Sequence, residues 1–156
     1  MTSLVEFVSR LARCSFGSAL VEATITIPLV ISLMAGGVDF GMAFSAHATV
    51  GKSVRDAARY LGSLPPSVAC TTWAIANAKN LAVYGKVSYA VGDSPLITGW
   101  QTDGGADNNV RVDCSALPFI VVSAKVPYNI LMLAAVLPGV GKLTLSTQHV
   151  EQSIGG

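Results

Sequence analysis

The stretch that decides the fold runs from Gly17 to Phe44: G-S-A-L-V-E-A-T-I-T-I-P-L-V-I-S-L-M-A-G-G-V-D-F-G-M-A-F. From Ala23 to Val38 it contains no charged residue, and Glu22 and Asp39 bracket that core. A bilayer needs roughly 20 mostly apolar helical residues to be crossed. Positions 18–44 supply them, centred near Leu33, with Pro28 inside the run as a possible kink. An acid at the middle of such a span costs about 2.5–3.5 kcal/mol on insertion scales, so the placement of Glu22 and Asp39 near its ends fits a membrane helix.

The composition of the whole chain agrees. Charged residues are only 12% of the 156 and hydrophobic residues 51%, whereas a soluble domain carries about 25% charged residues. The net charge of +1 gives no electrostatic case for nucleic acid as a partner. Arg10 and Arg13 precede the span and bias the N-terminus toward the cytoplasm; Lys52, Arg55 and Arg59 after it weaken that bias. The expected division is a leader over 1–17, a membrane helix over 18–44 and a domain over 45–156 on the far side.

Beyond Phe44 the helix continues. Val50, Val54, Ala57, Ala58 and Leu61 recur at helical spacing until Gly62 and Pro65-Pro66 stop it. A second helix over 71–84 presents Ala74, Ile75, Ala78, Leu81 and Ala82, with Gly85 as terminator. Period-two alternation follows at Val87–Val91, Val110–Cys114 and Leu143–Thr147, and Phe119–Val126 reads as a central strand, apolar on both sides through Val122. The fold class is therefore α+β, with three or four antiparallel strands against which the helices pack. The apolar piece from Tyr128 to Leu137 is too short to cross a bilayer; it reads either as a short helix on the core or as a contact patch.

Three cysteines occur. Cys14 precedes the span, whereas Cys70 and Cys114 follow it and form the natural pair if that region sits in an oxidising compartment. Three free thiols are the alternative. Candidate chemistry is sparse. His47 and His149 lack ligands at metal-site spacing. Asp103, Asp107, Asn108 and Asn109 do not follow the order of a calcium loop. Pro138-Gly-Val-Gly-Lys142 lacks the first glycine and final Ser/Thr of a phosphate loop. No nucleophile has a base partner in a local motif, and neither a catalytic residue, a metal nor a cofactor is expected.

A familiar order emerges: basic residues, then Gly17-Ser18-Ala19-Leu20-Val21-Glu22, then an apolar helix. This resembles the N-terminus of type IV pilin-like proteins, which a prepilin peptidase cuts after the glycine. Pro28 in I-P-L-V, Gly37-Val38-Asp39-Phe40-Gly41 and Val54-Arg55-Asp56-Ala57-Ala58-Arg59-Tyr60 narrow the resemblance to the TadE/TadG-like family, minor pseudopilins of the tight-adherence (Flp) pilus. The resemblance implies a pilin-like fold and cleavage between Gly17 and Ser18. It also implies that Glu22 meets the mature amine of a neighbouring subunit. The implied partners are other pilins, the peptidase, the inner-membrane assembly platform and the lipid bilayer. The implied place is the bacterial inner membrane, N-terminus inside and domain periplasmic, or extracellular if the subunit enters the fibre. Two rival readings remain: an uncut membrane-anchored binding domain unrelated to pili, and a secreted enzyme released near His47.

Overall fold

The computed structural model describes residues 15–90, 92–130, 132–136, 139 and 141–154. Arg10, Arg13 and Cys14, with all but the end of the 1–17 leader, lie outside the described residues, as does Val91.

Helix α1 spans Ser15–Gly62 without a break, Pro28 included. Pro28 lacks the N–H that would bond the Thr24 carbonyl. Nearby hydroxyls turn back onto the helix: Thr24 Oγ1 donates to Leu20 O at 2.7 Å and Ser32 Oγ to Pro28 O at 2.8 Å. Hydroxyls satisfied within the helix need no water, which suits a lipid surrounding.

The two halves of α1 differ in what covers them. From Leu20 to Val38 the large apolar side chains are exposed. Packing against the rest of the chain begins at Asp39 and Ala46, and Val50, Val54, Ala57, Ala58 and Leu61 are completely buried. The buried set is the one that the helical periodicity picks out beyond Phe44.

A short helix α2 (Pro66–Ala69) turns the chain, with Pro66 in its first turn, where a missing N–H is harmless. Helix α3 (Thr72–Tyr84) then runs back beside α1. Its contact face is Ala74, Ala78 and Ala82, small residues that let the two backbones approach. Gly85 ends it at φ 70°, where its N–H bonds Leu81 O at 2.9 Å.

The sheet has three antiparallel strands in the order β1 (Asn109–Ala116), β2 (Phe119–Asn129) and β3 (Lys142–Gln152). Val112 pairs with Val122 across β1–β2, and Val122 with His149 across β2–β3. Val110, Ile120, Val122, Ala124, Val126 and Leu145 form the face against α1 and α3. β2 is the central strand, as its two-sided apolar pattern predicts.

Strand β3 runs alongside α1. A strand from Lys142 to Gln152 and a helix from Asp39 to Gly62 both extend roughly 34 Å. At the top, Ile154 N–H bonds Gly62 O at 3.2 Å and Ser153 Oγ bonds Leu64 O at 2.7 Å. Gly62 fits this approach because a Cβ there would stand 2.8 Å from Glu151 Cγ and 3.2 Å from Gln152 O.

One expected strand does not form among the described residues. The alternation around Val87 and Tyr89 belongs to a loop from Gly85 onward, not to the sheet. The turn at Gly85 folds the chain back on α3, where Leu96 N–H bonds Val83 O at 2.8 Å and Tyr89 stacks on Tyr84 at 4.5 Å. Asp93 fixes the turn through Lys86 Nζ at 2.8 Å and Ala90 N–H at 2.9 Å; these two donors hold its carboxyl below the ordinary carboxylate range. Backbone groups committed to turns of this kind are not free to extend a sheet.

The apolar piece 128–137 divides. Tyr128 and Asn129 finish β2, and Met132–Val136 forms a short helix, α4, packed on the side of α1. Leu131 and Leu137 lie outside the described residues.

Candidate functional site

The strongest candidate is the N-terminal part of α1. Gly17 and Ser18 fall within its first turn, and the backbone nitrogen of Ser18 stands one turn, about 6 Å of rise, before Glu22. Glu22 is exposed, and it has no hydrogen-bond or ion-pair partner among the described residues. Around and above it the surface is mostly apolar: Leu20, Val21, Ile25, Ile27, Leu29, Ile31, Leu33 and Met34 are each more than half exposed. Such a surface is stable in lipid or against other apolar helices, not in water. Ala19–Gly62 is long and apolar enough to cross a membrane.

A lone carboxylate on that surface is costly in lipid and is lowered in cost by a cation. Among the described residues of the helix the nearest Lys or Arg is Lys52, some 45 Å along the axis by helical rise.

Asp39, the second acid of the span, has a different setting. It is only 4% exposed, and its Oδ1 accepts the N–H of Met132 at 3.3 Å. It therefore ties α4 to α1. Sequence alone shows Asp39 only as a tolerable interfacial acid, because its partner is a backbone group far along the chain.

The far end of the domain carries the cysteines. Cys70, at the end of α2, and Cys114, in β1, are joined as a disulfide with Cα atoms 6.2 Å apart. The link ties the α2–α3 turn to the sheet edge strand.

The remaining polar candidates serve the loop structure. Asp103 pairs with Lys79 at 2.6 Å and Asp107 with Lys125 at 3.6 Å. Asn108 accepts the Gln101 N–H and donates to Gly99 O, each at 2.8 Å, while Asn109 donates to Gly105 O and Ala106 O. His149 contacts Glu151 at 3.2 Å, and His47 is exposed. Among the described residues no group of three or more His, Cys, Asp or Glu side chains is placed to hold a metal ion. Trp100, buried beneath the 85–108 loop region, escapes sequence reasoning because no periodic pattern surrounds it; its indole Nε1 has no partner among the described residues.

The model of the family described as TadE-like protein matches residues 17–59. No curated protein and no solved structure matches the chain. The matched segment begins at Gly17, takes in Glu22, Pro28 and Asp39, and ends within the buried stripe of α1. Over residues 17–59 the chain is similar to the TadE-like family, in agreement with the resemblance carried by its glycine, glutamate and Val54–Tyr60 series.

Proposed function

We propose that the chain is a non-enzymatic pseudopilin, or an assembly factor, of a Tad-type (Flp) pilus. A prepilin peptidase trims it after Gly17, the α1 helix crosses the inner membrane, and the 45–156 domain faces the periplasm. Its N-terminal helix packs with those of other pilins at the inner-membrane assembly platform.

The observation that carries this reading is the position of Glu22. It is a carboxylate with no partner among the described residues, on a mostly apolar helical surface, one turn from the amine that cleavage at Ser18 would create. Two opposite charges, each costly alone in a low-dielectric bundle, offset part of that cost by meeting. The TadE-like match over the same segment supports it further.

The processing step has its own test. Gly17→Trp places a bulky side chain where the peptidase would accept glycine, and full-length precursor is expected to accumulate in the membrane fraction. Processing of that variant at the rate of the unaltered chain would remove the prepilin reading and leave an uncut anchor.

A further inference from the structure

Strands β2 and β3 form an antiparallel hairpin whose register ends at Asn129↔Lys142. Such a hairpin closes with a turn of about two residues. Here the connection is I-L-M-L-A-A-V-L-P-G-V-G, from Ile130 to Gly141, with no charged side chain and no side-chain hydrogen-bonding group. Ile130 N–H bonds Gly141 O at 3.1 Å, so the excursion is pinched at its base. Surface connections of this length are polar or functional, and this one is entirely apolar.

Its place in the fold says what it faces. α4 packs on α1, and Met132 N–H is tied to Asp39. From Glu22 to Asp39 the helix rises roughly 26 Å, and the hydrocarbon core is ~30 Å thick. With Glu22 at the inner edge of that core, Asp39 and α4 stand at its outer edge. Met132 is 48% exposed there, Leu143 43%, and Phe40 and Phe44 of α1 lie bare at the same level. Lys142, exposed at the base of the excursion, is placed for a headgroup phosphate.

We propose that α4, set between β2 and β3, is a monotopic foot that inserts into the outer face of the bilayer and fixes the domain on its membrane helix. This rests on α1 spanning the membrane and not on the pilus reading. The occupant of the surface is lipid, argued from its continuity with the lipid-facing half of α1. Asp39 keeps the foot attached by holding the first turn of α4 against the helix.

Site-directed spin labelling of the full chain tests it. In a Cys14→Ser background, a nitroxide is placed singly at Met132→Cys and at Leu143→Cys, with Leu33→Cys and Ile154→Cys as references. The protein is reconstituted in vesicles of phosphatidylethanolamine and phosphatidylglycerol at 3:1. Labels at Met132 and Leu143 are expected to lie about 5–10 Å below the phosphates, more accessible to oxygen than to an aqueous nickel chelate. Ile154, 79% exposed at the opposite end of the domain, should show the reverse. A Met132 label as open to the chelate as that at Ile154 overturns the proposal. So does one shielded from both reagents, which would mean burial against protein. A Leu33 label open to the chelate would instead overturn the membrane span itself.

Discussion

Glu22→Gln is expected to enter the membrane and to be trimmed as the unaltered chain is, and then to fail in assembly. Insertion should not suffer, because removing an acid from a membrane helix eases transfer into lipid. Cleavage should survive because Gly17 and Ser18 are unchanged. The loss appears only when subunits pack. The amine left at Ser18 of one subunit would then be buried without a carboxylate, and breaking one side of a buried ion pair costs about 3–5 kcal/mol. A change of that size lowers an association constant by a factor of about 10² or more. Pilus yield and co-purification with other pilins, at matched membrane levels, measure it. An ordinary interfacial carboxylate abandons no partner, so equal yields from the two proteins would strip Glu22 of its role.

The second large effect concerns the domain alone. Cys70 and Cys114 are separated by 44 residues, and closing a loop of that length is worth about 4 kcal/mol in the chain-entropy account, whose mechanism is disputed. The link has few substitutes, because the α2–α3 turn otherwise reaches the sheet mainly through α3, which makes modest contact with β1. Replacing both cysteines by serine should lower the thermal midpoint of the domain by on the order of 20 °C. Reduction of the unaltered protein should give a similar shift. A midpoint insensitive to reductant, or free thiols at both positions in protein taken from the periplasmic side, would count against the disulfide and against an oxidising location together.

How much of this was legible in the sequence depends on the range of the interactions involved. The course of α1 and the stripe Val50–Leu61 are local patterns, and so are α3 with its Gly85 stop and the alternations of β1 and β3. Each was readable because one element repeats its burial at a fixed period. Val87 and Tyr89 alternate just as well, yet they belong to a loop. Tyr84, Lys86, Asp93 and Leu96 hold that segment against α3, and none of those pairings leaves a periodic trace. Helix α2 was hidden by its prolines, which read as a stop although the first turn of a helix tolerates them.

The candidate site divides in the same way. Gly17, Ser18, Glu22 and Pro28 were found as an ordered string on one helix. Asp39 was found as a residue but not as a tether, because Met132 lies on another element. The piece 128–137 was recognised as apolar, but its division between β2 and α4 and its docking on α1 are tertiary facts.

The central claim is that this chain is trimmed like a pilin and keeps its membrane helix. The mass of the mature N-terminal peptide, taken from membranes, tests it most directly. The account predicts a chain beginning at Ser18, with Glu22 as its fifth residue. A chain beginning at Met1 or Thr2 would contradict it in favour of an uncut anchor, and one beginning near His47 would contradict it in favour of secretion.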